Sequence, residues 1–388
     1  MPTIAYNLLQ NMEKPKLYGE VKKLTSLAKN TLTEGQSALE DLACSFRLGR
    51  TAPVSTLAEI TQEVLNLCWA DVSKYDFDDM CAFVHRFDLR CNDFDVIIAD
   101  ESQDLNNLQM WIIRNSLLKP DGRFIHVGDP KQAIYGWRGS DSEAFERLTK
   151  EFNSKVLNLS ITFRCPRKIV QFVKQEGLIE NYEAFEGNPE GEIHEIDYSQ
   201  IFDNAEGGDY ILSRTNAPLA KICLQLLRQG KRANIAGLDI GSSLNSFIKE
   251  ARCESVPDLM IWIENYRQAE HERLTANPAQ DNSSALDYMN DKLDTIRVLS
   301  EGCSTTKQVS QKIRNIFIDE DDRRKKVDPS KVILCSTIHK AKGRERNRVF
   351  ALEATMNNSS QEERNIKYVA YTRTKHSLFL LDGLPERN

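Results

Sequence analysis

At 388 residues the chain is too long for one ordinary core, so two domains with smaller insertions are expected, and 40% hydrophobic with 28% charged residues excludes wholesale disorder. A formal net charge of −6 argues against binding nucleic acid through sheer cationic surface and leaves only a local basic groove for that role. No run approaches the roughly 18 apolar residues of a membrane span, and the N-terminus lacks a charged-then-apolar signal layout, so no membrane partner is expected and the expected compartment is cytoplasmic.

Residues 1–90 read as a helical module. LYGEVKKLTSLAKNTL and VSTLAEITQEVLNLCWADV place apolar residues at three- and four-residue intervals, and Thr51-Ala52-Pro53 interrupts them. From Phe94 the texture changes to short β-branched runs (DVIIAD, RFIHVGD, KVLNLS) separated by helical patterns such as LNNLQMWIIRNSLL, which predicts parallel strands with crossover helices. A second α/β region follows over 161–245, with GDYILSRT as a strand, PLAKICLQLLRQG as a helix ending at Gly230, and RANIAG as another strand. Residues 246–328 are helical and polar, with NPAQDNSSA as an internal loop and DEDDRRKK as a charge run of the kind usually found on a solvated surface. Strand character returns over 329–388 at KVILCSTIH, RVFALEA and HSLFLLDG, which completes the second sheet. The nine cysteines are scattered, with no CxxC pair and no histidine at zinc-ligand spacing, and read as reduced thiols.

Two places concentrate chemistry. The apolar run Val96 to Ala99 suits a strand buried on both faces, with Asp100 and Glu101 emerging at its carboxyl end, where ligands of open α/β sheets bind. An acid there can hold hydrated Mg²⁺ among phosphates, and a second can orient or deprotonate water. The bland alternative makes the same pair the cap of a helix beginning near Leu105. Gly128-Asp129 ends a second apolar strand, and the QAIYGWRG that follows packs an amide, two aromatics and an arginine into eight residues.

These stretches resemble the UvrD/Rep-type superfamily 1 DNA helicases. DESQD is similar to motif II, GDPKQAIYGWRGSD to motif III, ITFRCPRKIVQFV to motif IV, LSRTNAPLAK to the segment called IVa, STIHKAKGRERNRVF to motif V and KYVAYTRTKHSLFL to motif VI. FDDM at 77–80 resembles the short motif that precedes motif II. The resemblance spans roughly residues 75–175, 208–245 and 330–382. It implies an α/β fold of two RecA-like, P-loop NTPase-type domains with helical insertions. The first of these domains, over 91–160, is incomplete and the second is 161–245 plus 329–388, while 1–90 and 246–328 are insertions.

The resemblance also implies roles. Asp100 would hold Mg²⁺, Glu101 would activate the attacking water, and Gln132 would sense the γ-phosphate. Trp137 would be a stacking platform for a base of single-stranded DNA, Arg138 would contact nucleotide, and Tyr135 would serve there or in core packing. Arg164 and Arg373 match two arginines directed at the γ-phosphate, Phe163 an aromatic on adenine and Glu345 an acid on the ribose. His339 and Lys342 match the segment that couples nucleotide to the DNA track. Motif V reads GRE here, where the family more usually has an apolar residue between glycine and acid.

The implied activity is ATP- and Mg²⁺-dependent DNA unwinding, with 3′-to-5′ translocation along single-stranded DNA. The sequence contains no GxxxxGK[ST] phosphate loop. The chain therefore reads as N-terminally truncated relative to the family, with little ATPase activity alone unless an upstream polypeptide supplies the loop, and with Phe124 to Val127 left as an unpaired edge. The rival reading is a non-catalytic protein that holds single-stranded DNA or a repair or replication partner.

Overall fold

The computed structural model describes residues 2–14, 17–46, 48–49, 51–90, 93–135, 144–275, 283–318 and 328–384. Trp137 and Arg138 lie outside the described residues, as do the DEDDRRKK run and most of NPAQDNSSA. The described residues form two compact units, one up to Leu157 and the other from Asn158 onward.

The first unit opens with five helices, α1 (Pro2–Asn11), α2 (Tyr18–Thr31), α3 (Gln36–Ser45), α4 (Val54–Ala70) and α5 (Phe77–Arg86). Their periodic apolar stripes meet in one core of Leu9, Val21, Leu24, Leu57, Ile60 and Val64. The FDDM acids fasten this bundle. Asp79 completes a capping box with Asp76 at the start of α5 and forms a fully buried ion pair with Lys29 of α2. Asp78 accepts hydrogen bonds from Ser26 Oγ at 2.5 Å and Asn30 Nδ2 at 3.1 Å. Asn30 in turn accepts from Asn106, which caps α6 (Asn107–Ile112), so α2 braces the segment that follows the paired acids.

The sheet of this unit has two parallel strands, β1 (Phe94–Ala99) and β2 (Leu118–His126), with Ile98 opposite Ile125. Residues beginning at α7 (Ala144–Glu151) cover one face, where Phe145 packs against His126 at 4.7 Å and Phe152 against Phe124 at 4.6 Å. The other face is open. Val96, Ile98, Ile125 and Val127 are all exposed, Ile98 to 68%, which overturns the expectation of a strand buried on both faces. No other strand pairs with β1 or β2 among the described residues, so β2 does carry the unpaired edge expected from the sequence. KVLNLS, expected as a strand, is irregular, with Leu159 86% exposed, because a β-branched run without a neighbour has no ladder to join.

The second unit begins with β3 (Ile161–Thr162), α8 (Arg167–Gln175) and β4 (Glu183–Ala184), followed by β5 (Glu192–Asp197), α9 (Ile201–Asn204), β6 (Tyr210–Ser213), α10 (Asn216–Arg228) and β7 (Ala233–Ala236). Four helices come next, α11 (Leu238–Ala251), α12 (Val256–Thr275), α13 (Ser283–Ser300) and α14 (Thr306–Ile316), before β8 (Phe317–Ile318). The chain closes with β9 (Ile333–Thr337), α15 (Ile338–Ala341), β10 (Arg346–Leu352), α16 (Gln361–Tyr371) and β11 (Thr374–Asp382). Seven strands make one parallel sheet in the order β5-β11-β10-β6-β9-β7-β8. The uninterrupted apolar runs of β6 and β9 are its fully buried central strands.

Helices α11 to α14 share their core with this sheet. Leu259, Ile263, Leu293, Ile296 and Ile313 pack in the same cluster as Ile211, Ile222, Ile235 and Cys335. A polar tie reinforces the join. Asp291 of α13 accepts from the backbone N–H groups of Asn216 (2.8 Å) and Ala217 (2.7 Å) at the start of α10, supplying the cap that the local Thr215 side chain does not.

Candidate functional site

The chemistry-bearing residues fall into an acidic cluster in the first unit and a cationic cluster in the second, each built by its own sheet. Asp100 and Glu101 follow β1 directly. Glu101 holds a left-handed backbone (φ +52°), a conformation costing a non-glycine residue roughly 1 to 2 kcal/mol, and its N–H donates to Asp100 Oδ1 at 2.9 Å. Neither acid serves as the side-chain cap of the following helix, because Asn106 does so through a capping box with Gln109. The capping alternative is thus set aside.

The residue that organises this cluster is Gln103, only 2% exposed. Its Nε2 donates to Glu101 Oε2 at 2.6 Å and its Oε1 accepts from the Asp129 N–H at 3.1 Å. Asp129 accepts from Gln132 Nε2 at 2.9 Å. A continuous chain of hydrogen bonds therefore runs Glu101, Gln103, Asp129, Gln132, joining the loops after β1 and β2. Backbone bonds back it, with Ser102 N–H on Val127 O at 2.9 Å and Val127 N–H on Ala99 O at 2.8 Å. Gly128 permits the close approach, since a Cβ there would collide with Gln103 Oε1 and crowd Ser102 Oγ at 3.0 Å. Tyr135 ends this described stretch.

Among the described residues no three His, Cys, Asp or Glu side chains are grouped to hold a metal by themselves. A magnesium ion carried in with phosphates needs only one or two carboxylates and keeps its remaining positions for water and phosphate oxygens; Asp100 is the carboxylate that would take that share.

In the second unit Arg164 lies close enough to Arg373 for its charge to be felt there. Burial first, and then Arg164, pull the Arg373 guanidinium below its ordinary value. Arg373 is 1% exposed and its plane is fixed by Nε donating to Val369 O at 2.9 Å and Nη2 to Thr372 Oγ1 at 3.1 Å. The Arg164 turn is tied to it, because Cys165 Sγ donates to Thr372 O at 3.7 Å and accepts from Tyr182 Oη at 3.4 Å. Buried Asn188 clasps the same turn through bonds to Thr162 O and Cys165 O, both 2.8 Å.

Glu345 precedes β10 and faces the arginines, with Oε2 3.5 Å from Arg164 Nε and Oε1 2.5 Å from Lys375 Nζ. Burial would raise its carboxyl, but Lys375, then Arg164 and Arg373, outweigh that and hold it below the usual carboxylate range. Phe163 projects 73% exposed beside Phe185, with ring centroids 4.9 Å apart. His339 and Lys342 sit on and just after α15, at the carboxyl end of β9. Lys340 of the same helix grips both oxygens of Asp239 at 2.8 Å.

Sequence reasoning singled out Asp100, Glu101, Gln132, Phe163, Arg164, Glu345 and Arg373, and missed Gln103, Asn188, Phe185 and Lys375. The one signal in reach was spacing: Gln103 follows Glu101 by two positions, and Lys375 follows Arg373 by two.

Paired acids follow one parallel strand in the first unit, and guanidiniums gather beside the parallel sheet of the second, so the chain is an α/β protein with charged clusters at its strand ends. Residues 4–153 match the family model of the UvrD/REP helicase N-terminal domain, and 333–381 that of the UvrD-like helicase C-terminal domain. The chain belongs to the UvrD/Rep helicase family. It is similar to a probable DNA helicase II homolog of Mycoplasma capricolum (29% identical over 30% of this chain and 18% of that protein). It also matches DNA helicase II of Escherichia coli (39%, covering 23% and 12%) and the ATP-dependent DNA helicase Rep of Buchnera aphidicola (34%, covering 19% and 12%). The matched segments span less than a fifth of these relatives' lengths. No described helix is long and apolar enough to cross a membrane.

Proposed function

We propose that this chain carries part of the machinery of a UvrD-like DNA helicase that couples ATP hydrolysis to 3′-to-5′ movement on single-stranded DNA and to duplex unwinding. The supporting observation is that the acidic relay from Glu101 to Gln132 and the arginine cluster are both built, the relay through part-buried hydrogen bonds and Arg373 through a buried one. A protein that only gripped DNA would have no need of them. The direction of movement rests on the resemblance alone.

In this reading Asp100 holds Mg²⁺, which when bound supplies charge neutralisation at the phosphates. Glu101, held by Gln103, orients and deprotonates a water molecule. Gln132 answers to the terminal phosphate, and through Asp129 and Gln103 its position is linked to that of Glu101. Arg164 and Arg373 stabilise charge on the phosphoryl group, the Arg373 guanidinium plane being set in advance. Phe163 stacks on the base and Glu345 serves the ribose. Arg138 contacts nucleotide, and Trp137, His339 and Lys342 engage the DNA strand.

Hydrolysis in this reading needs a phosphate loop, and the 388 residues contain no GxxxxGK[ST] run. Turnover by this chain alone should then stay near background. The deciding measurement is single-stranded DNA affinity by fluorescence anisotropy, with and without Mg²⁺ and a non-hydrolysable ATP analogue. Affinity that changes with nucleotide, and no longer does so in Arg164→Ala, supports the motor. Affinity that falls with salt and ignores nucleotide supports a non-catalytic DNA-binding protein instead.

A further inference from the structure

We propose that Glu345 is an internal counter-anion of the cationic cluster, displaced when a polyphosphate arrives, and that Lys375 is a third phosphate-binding cation beside Arg164 and Arg373. The inference rests on reading this cluster as a phosphate site, and it assigns Glu345 an action on the phosphates themselves.

Strand register brings these charges together. Arg346 pairs with Thr374 in the β10–β11 ladder, which sets Glu345 at the head of one strand beside Arg373 and Lys375 at the head of the next. The carboxylate spreads its two oxygens between partners, Oε1 on Lys375 at 2.5 Å and Oε2 toward Arg164 at 3.5 Å. Three cations thus surround one carboxylate, and the excess positive charge suits an anion carrying more than one charge. Arg164, Glu345 and Lys375 each expose about a third to a half of their side chains, so such an anion can reach them. Buried Arg373 keeps its place while the flexible lysine and the carboxylate can swing away. A triphosphate offers several oxygens where Glu345 offers two, so exchanging the carboxylate for phosphate gives the cations more partners at the same distance.

A ribose contact alone leaves the binding of a sugarless phosphate unchanged by loss of the carboxylate, whereas a counter-anion opposes that binding. Inorganic tripolyphosphate has neither sugar nor base, so its binding, measured by calorimetry on the full chain, isolates the phosphate term. Glu345→Gln should bind it about fivefold more tightly than the unaltered protein, the scale of one partly exposed ion pair. Lys375→Met should bind it about fivefold more weakly, and Lys375→Arg should keep the original affinity, which separates loss of charge from loss of fold.

Unchanged or weaker tripolyphosphate binding in Glu345→Gln overturns the counter-anion, and unchanged binding in Lys375→Met overturns the third cation. No binding by any form overturns both. If these shifts occur while nucleotide leaves DNA affinity untouched, the motor reading fails and the phosphate site stands.

Discussion

Inserting a single methyl group at Gly128 should disconnect the acidic relay. Its Cβ would fall on Gln103 Oε1, which is buried and already bonded, so the amide must move and give up its bonds to Glu101 and to the Asp129 N–H. The first, to a carboxylate, is worth about 1.5 to 3 kcal/mol and the second about 1 kcal/mol. Gly128→Ala should therefore cost about 3 kcal/mol. Gln103→Ala removes the same two bonds by another route and should cost a similar amount. Because both changes break one set of interactions, the double variant should lose about 3 kcal/mol less than the sum of the singles. Three of the four tryptophans, Trp69, Trp111 and Trp137, precede Leu157, so urea unfolding followed by tryptophan fluorescence reports chiefly on the first unit. Additivity within about 0.5 kcal/mol would show that Gly128 and Gln103 act separately and that the relay has no energetic unity.

Three further outcomes follow from individual contacts. Asp79→Ala, which strands Lys29 in a fully buried position, should destabilise the first unit by about 3 to 5 kcal/mol, whereas replacing both partners with apolar residues should cost far less. Burial lifts the Asp209 carboxyl to about 6, so the folded chain keeps a proton that the unfolded chain releases near 3.8. Stability then falls as pH rises through that window, by up to about 3 kcal/mol; the advantage of Asp209→Asn should grow from pH 4 to pH 6 and then level off, and a pH-independent difference would refute this. Phe163→Ala, at an exposed ring, should leave the unfolding midpoint unchanged within about 0.5 kcal/mol while weakening binding of a fluorescent ATP analogue.

What could be read from the amino acids alone was what local pattern encodes. DVIIAD, DYILS and VILCST announced strands because consecutive β-branched and apolar residues favour an extended ladder, and each was found as a strand, the latter two buried and DVIIAD with one face exposed. The EIHEID strand escaped notice because an edge position tolerates the three acids that break up its apolar pattern. KVLNLS misled for the opposite reason, since its local preference is for a strand and only a neighbour could have made it one. The acids and arginines were recognisable by their motif surroundings. Gln103 and Lys375 were not, because their meaning depends on loops and strand heads far apart in sequence being brought together.

The shared interior of α11 to α14 and the second sheet limits how this part of the protein can move. Sliding those helices over the strands would open a continuous apolar interior and uncap α10 at Asp291. A partner that seizes α13 therefore pulls directly on the turn after β6, so force applied at the helical surface is delivered to the strands with little slack. Cutting out residues 246–318 would leave not a smaller working unit but an exposed half-core.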